Sequence, residues 1–228
     1  MKFGIIAAMP QELGILVETL AEKEEVPVLG NTYYTGRLGK HEVVLVQSGI
    51  GKVMSAMSVA ILADHFQVDA VINTGSAGAV ADGLQIGDVV VADQLAYHDV
   101  DVTAFGYAYG QMAGQELYFP ADQVLLENMR SVLVEQELVS QVGLIATGDS
   151  FIAGQDKIAA IKAHFPQVLA VEMEGAAIAQ AAVNAGKSFL VIRAMSDRAQ
   201  GDANITFDEF IIQAGEQSAK ILLAFLEK

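Results

Sequence analysis

The stretch Ala170-Val171-Glu172-Met173-Glu174-Gly175-Ala176-Ala177 joins the apolar run Val168 to Val171 to a run of small residues that continues through Asn184. Such a short apolar run suits a strand buried in a sheet, and small residues after a glycine suit a helix packed closely against it. Glu172 and Glu174 therefore stand at a strand-to-helix junction. In open α/β proteins ligands bind at the carboxyl ends of the strands, which places both carboxylates for chemistry. The same residues also fit a blander role, with one Glu solvated and the other complementing the dipole of the first helical turn.

Outward from that junction the pattern repeats. Downstream, Phe189 to Ala194 reads as a strand ending in Met195-Ser196-Asp197, and an amphipathic helix runs from about Phe207 to Lys228. Upstream, a helix over Gln155 to His164 is broken by Pro166. Before it, Val142 to Thr147 is a strand ending in Gly148-Asp149-Ser150-Phe151-Ile152, preceded by an amphipathic helix from Ala121 to about Val139. Gly87 to Tyr97 is a long strand pattern, and Ala70 to Asn73 is a strand ending in the loop Thr74-Gly75-Ser76-Ala77-Gly78. Tyr33 to Leu38 and Glu42 to Gln47 form a hairpin across Gly39-Lys40. At the start, Phe3 to Ala8 is a strand, and Pro10 suits the first position of a helix through about Leu20, with Glu12 in its first turn. This alternation predicts an α/β fold, a single three-layer domain over residues 1–228 with a central mixed β-sheet flanked by helices.

Composition narrows the partners. Twenty-eight acidic against 13 basic residues give a formal charge of −15, which argues against nucleic acid and anionic membranes. Cysteine is absent, which removes disulfides, thiolate metal sites and a cysteine nucleophile. With only Met1 and Lys2 before the first apolar run, neither a signal peptide nor a membrane span is expected, and the protein is expected in the cytoplasm. His98, Asp99 and Asp101 are too close in sequence to converge on one ion, so no metal is expected. The glycines of Ser48-Gly49-Ile50-Gly51, before a helix over Lys52 to about Phe66, do not complete a dinucleotide fingerprint, and the Thr74–Gly78 loop lacks the lysine of a P-loop. Phe105, Tyr107 and Tyr109, in a glycine-broken stretch, read as aromatics covering a pocket or a partner subunit.

What stands out is where the polar residues fall. Glu12, Ser76, Glu174, Ser196 and Asp197, with the ring of Phe151, all follow apolar strands, so one crevice gathers three carboxylates, two hydroxyls and a ring.

Five segments carry a resemblance that covers the chain from end to end: Gly4-Ile5-Ile6-Ala7-Ala8-Met9-Pro10-Gln11-Glu12, Asn73 to Gly78, Thr147 to Phe151, Val171 to Ala177, and Arg193-Ala194-Met195-Ser196-Asp197. In this order they resemble the bacterial 5′-methylthioadenosine/S-adenosylhomocysteine nucleosidases. The resemblance implies a nucleoside phosphorylase-like fold, a homodimer, and cofactor-free hydrolysis of a glycosidic bond that releases adenine, with a place in methionine salvage. By the same resemblance, Asp197 is the general acid to N7 of adenine, because the purine leaves far more easily as a neutral base. Glu12 matches the residue that holds and deprotonates water, and Glu174 the one that accepts hydrogen bonds from the ribose hydroxyls. Two carboxyls with divided labour around an oxocarbenium-like transition state parallel the glycosidases.

The resemblance also assigns recognition. Phe151 stacks on adenine, the Ile152 backbone reads the base edge, Ser196 and Met173 neighbour base and ribose, and Ser76, Gly78 and Arg193 fall near the water and substrate. Met9, Ile50 and Phe207 line the 5′-alkylthio pocket, closed by Val102, Phe105 and Tyr107 of a partner subunit. Read from the sequence alone, Met9, Ile50 and Phe207 fit ordinary core packing as well. Ala113 departs from the family, whose members often carry proline in this loop, and this bears on loop stiffness and on the longer substrate. Two other activities fit the fold. A phosphorylase needs cations on phosphate, and among the candidates only Arg193 stands near these loops. A nucleoside-binding module needs the ring and a ribose partner, but neither an acid nor a base.

Overall fold

The computed structural model describes residues 1–199 and 203–228, with side chains in the second stretch from Phe207 onward. In chain order the strands are β1 (Lys2–Ala7), β2 (Ala21–Val28), β3 (Asn31–Leu38), β4 (His41–Gln47), β5 (Ala70–Ala79), β6 (Val89–Tyr97), β7 (Phe119–Pro120), β8 (Ser140–Thr147), β9 (Val168–Glu172) and β10 (Ser188–Asp197). The helices are α1 (Pro10–Thr19), α2 (Lys52–Asp64), α3 (Gln123–Glu135), α4 (Gln155–His164), α5 (Gly175–Asn184) and α6 (Ala203–Glu227).

β5 organises the sheet, and all of it is buried. Its first half pairs in parallel with β1, Ala70 to Gly78 run parallel to β10, and Gly78 and Ala79 meet β9 antiparallel. β10 pairs antiparallel with β6, β6 runs parallel to β8, and β8 runs parallel to β9. Five strands therefore return to their start as a closed ring, β5-β10-β6-β8-β9. From β1 the sheet continues outward through β4 and β3 to β2, an edge strand exposed along most of its length. The expected mixed sheet flanked by helices is present. Its two faces show on β1, where Phe3 meets Phe225 of α6 edge-on while a side chain at Gly4 would press within 2.9 Å of Leu62 of α2. Helices α2 and α5 pack together, as do α1 and α6.

Some boundaries differ from the sequence reading. β5 and β10 run on through Thr74–Gly78 and Met195–Asp197, which read as loops, because each completes the other's backbone pairing there. The helix expected from Ala121 to Val139 is shorter, since Glu137 takes a left-handed conformation at φ 53° before β8 begins. Of the three aromatics read as a cover, Phe105 is 82% exposed, but Tyr109 stacks on His164 with centroids 3.8 Å apart. Among the described residues no group of His, Cys, Asp and Glu is arranged to hold a metal, and no helix is long and apolar enough to cross a membrane.

Candidate active site

Glu12 sits in the first turn of α1, behind Pro10, and is almost wholly buried. Its Oε2 accepts from the N–H groups of Ala8 and Met9 at 3.0 and 3.1 Å, and its Oε1 accepts from the N–H and hydroxyl of Ser76, both at 2.9 Å. Four donors thus hold the carboxylate across the ends of β1 and β5. Gly75 explains how two charged groups come so close to the backbone there. A Cβ at that position would lie 2.5 Å from Arg193 Nη1 and 2.8 Å from Glu12 Oε1.

The two glutamates of the junction separate in space. Glu172 ends β9 and turns inward, where its Oε2 accepts from the N–H groups of Glu174 and Gly175 at 3.0 and 2.7 Å, occupying the positive end of α5. It also pairs with Arg193 and accepts from the Thr147 hydroxyl. Glu174, at the N-cap of α5, accepts from Gly51 N–H at 3.0 Å and lies 3.4 Å from Arg193 Nη2. Burial pushes the Glu174 carboxyl up to about 7, with Glu172 and Glu12 adding to the rise and Arg193 and the Gly51 N–H opposing it. Arg193 is fully buried and also donates to Asn73 Oδ1 at 2.6 Å.

Asp197 closes β10. Its Oδ1 accepts from Ala199 N–H at 2.7 Å, and its Oδ2 is 3.0 Å from the Ser196 hydroxyl. These carboxyls share a cavity of about 350 Å³, lined by Met9, Glu12, Ile50, Ser76, Gly78, Phe151, Ile152, Met173, Glu174, Ser196, Asp197 and Phe207, with Ala8, Ala77, Ser150, Val171 and Glu172. That volume suits a nucleoside-sized ligand. Phe151 and Phe207 meet edge-to-face, with centroids 5.6 Å apart.

The model of the phosphorylase superfamily matches residues 2–227. The 5′-methylthioadenosine/S-adenosylhomocysteine nucleosidase of Geobacillus thermodenitrificans is 46% identical over 227 residues, 99% of this chain and 96% of its own length. The chain belongs to that nucleosidase family. A solved nucleosidase of the family from S. pneumoniae, bound to a transition-state inhibitor, superposes with a TM-score of 0.97 at 69% identity, covering 100% of this chain and 99% of its own. The S-adenosylhomocysteine nucleosidase of Streptococcus pyogenes, in complex with 5-methylthiotubericidin, gives 0.98 at 67% identity, with 100% and 96% covered.

In this nucleosidase most of the expected site residues converge on the one cavity, and four do not line it. Arg193 lies behind the wall, sheathed by Glu172, Glu174 and Asn73. Val102, Phe105 and Tyr107, expected to close a partner subunit's pocket and not this one, lie outside it as well, at and just after the single helical turn Thr103–Phe105, with the Phe105 ring exposed. Sequence reasoning missed the Gly51 N–H on Glu174 and the anchoring of Glu172 by Thr147. The glycines around Ile50 were the only signal for the first, and nothing local marked the second.

Proposed function

We propose that the chain, working as one domain over residues 1–228, hydrolyses the N-glycosidic bond of 5′-methylthioadenosine and S-adenosylhomocysteine to adenine and the 5-thioribose product. The observation that carries the reading is the convergence of three carboxyls, Glu12, Glu174 and Asp197, on one cavity. Asp197 protonates the departing adenine, and Glu12 takes the proton of the attacking water. Backbone N–H groups supply three of the four donors on Glu12 and cannot turn away, whereas the Ser76 hydroxyl can rotate. Water therefore takes that hydroxyl's place on Oε1, with Ser76 as its second contact. Glu174 accepts the ribose hydroxyls and favours positive charge on the sugar. Phe151 stacks on the base, Ile152 and Ser196 border it, Met173 borders the ribose, and Met9, Ile50 and Phe207 surround the 5′-thioether.

Water rather than phosphate fits the walls. Among the described residues lining the cavity none is cationic, and Arg193 stands outside the lining with its Nη2 paired to Glu172 and Glu174. Adenine release from 5′-methylthioadenosine in phosphate-free buffer is the test. Release without phosphate is the expected result, and release only after phosphate is added would make the enzyme a phosphorylase.

The apolar side chains left exposed on α2 and nearby, Ile50, Val53, Met57 and Val183 with Phe105, support a homodimer in which Val102 and Phe105 of one copy close the cavity of the other. A cytoplasmic location suits a chain without cysteine.

The raised pKa of Glu174 gives two further expectations. Its anion is the form that accepts two ribose hydroxyls, so kcat/KM for 5′-methylthioadenosine rises with pH through about 7, and Glu174→Gln loses that limb. For stability the sign runs the other way. A carboxyl whose pKa lies above its unfolded value of 4.5 stabilises the fold below that pH, and the contribution is lost as pH rises through about 7. Thermal melts of the unliganded protein between pH 5 and 8 are therefore expected to move in favour of Glu174→Gln relative to wild type. A constant difference would refute the buried, elevated carboxyl.

A further inference from the structure

Helix α2 starts without a cap of its own. Its N-cap is Gly51, at φ 99°, which has no side chain to receive the first free N–H groups. The missing acceptor comes from another part of the chain. Asp149, two residues past the end of β8, accepts from Lys52 N–H through Oδ1 at 2.8 Å. Asp149 is held in turn, because its N–H donates to Asp99 Oδ2 at 2.9 Å and Lys52 Nζ ion-pairs with Asp99 at 2.6 Å and with Asp149 at 3.6 Å. A Cβ at Gly51 would lie 3.1 Å from Asp149 Oδ1, so the turn is pressed against this carboxylate.

The cluster is partly open to water. The Asp149 side chain is 49% exposed, and ion pairs in such places contribute little to stability. Its connections lead into the cavity instead. The Gly51 peptide next to the capped N–H is the one whose own N–H holds Glu174 Oε1. Phe151 follows Asp149 by two residues, and Ile50 precedes Gly51, both in the cavity wall.

We propose that Asp149, locked by Asp99 and Lys52, is a positioning residue for Glu174: it fixes the Gly51 peptide so that its N–H aims the Glu174 carboxylate at the ribose hydroxyls. This rests on the reading of Glu174 as the ribose-binding group. It predicts a defect felt mainly at the ribose hydroxyls. Glu174 is also faced by Arg193, which stabilises its anion, and by Glu172 and Glu12, which oppose it, and none of these is touched by a change at Asp149.

The test compares kcat/KM for 5′-methylthioadenosine and its 2′,3′-dideoxy analogue in wild type and in Asp149→Ala. A loss of about tenfold on the ribonucleoside, carried mainly by KM, and of less than about twofold on the dideoxy analogue is expected, as for loss of one hydrogen bond to a charged group. The pH limb near 7 moves upward, because a donor that favoured the anion is weakened, and Asp149→Asn, which keeps an oxygen for Lys52 N–H, restores most of the activity. Equal losses on the two substrates, or an unmoved limb, would overturn the proposal. If Asp149→Ala does not fold, Asp99→Asn, which loosens Asp149 without removing it, must show the same substrate-dependent loss, and an equal loss there also overturns it. A wild-type enzyme that treats both substrates alike would instead overturn the role of Glu174 itself.

Discussion

Glu12→Gln is expected to lower kcat by about a thousandfold while leaving KM for 5′-methylthioadenosine nearly unchanged, the size usual for removing a general base. Gln has the shape of Glu but only one of its two acceptor oxygens. Either orientation of the amide sets an NH₂ group against fixed backbone donors, Ala8 and Met9 on one side or Ser76 on the other. The variant therefore loses the base and also carries a donor facing a donor, which costs stability on the order of 1–3 kcal/mol. Steady-state kinetics and a thermal melt measure the two effects separately. A variant that keeps more than about a tenth of wild-type kcat would remove Glu12 from proton transfer, since general-base catalysis contributes far more than that.

Asp197→Asn is expected to cost about 10²–10⁴ in kcat with a different signature. Asn retains an oxygen for Ala199 N–H, and its NH₂ can donate to a Ser196 hydroxyl that rotates to accept, so both contacts survive. What it lacks is a proton to deliver to the base. The loss should therefore depend on the leaving group. A 5-methylthioriboside of p-nitrophenol, which departs as a stable anion, should lose far less than the adenine nucleoside. Equal losses on the two would mean that Asp197 orients the substrate and does not protonate it.

Both predictions concern residues that the sequence makes visible, and the physical reason is local. Glu12, Glu174 and Asp197 each lie within a few residues of the end of an apolar strand, so the pattern of runs and turns already puts them near one rim. What sequence cannot show is how neighbours divide their work. Glu172 and Glu174 look alike on the page, and only the register of β9 against β8 turns Glu172 toward Thr147 and Arg193 and leaves Glu174 to Gly51. The ring closure was equally hidden, because it depends on a pairing of Gly78 and Ala79 with Val171 and Ala170 between distant segments. Arg193 shows the same limit. Its place in the motif is readable, whereas its withdrawal behind the cavity wall follows from three side chains on other strands and a helix cap. β2 was missed for another reason, since Ala-Glu-Lys-Glu-Glu-Val-Pro-Val has neither alternation nor strand propensity and is recruited by its antiparallel partner β3.

That unpromising strand governs how the protein behaves when crowded. A ten-stranded sheet with a free margin is a template on which another molecule's strand can add, the first step toward fibrous aggregates. Here the margin carries Glu22, Glu24 and Glu25 around a single Lys23, bends at an irregularity between Ala21 and Glu24, and at Pro27 has no N–H to offer. An incoming copy would meet its own negative charges and a broken ladder. Colloidal solubility is thus built into the outermost strand, and molecules of this enzyme at high concentration can meet through their helical faces without stacking edge to edge.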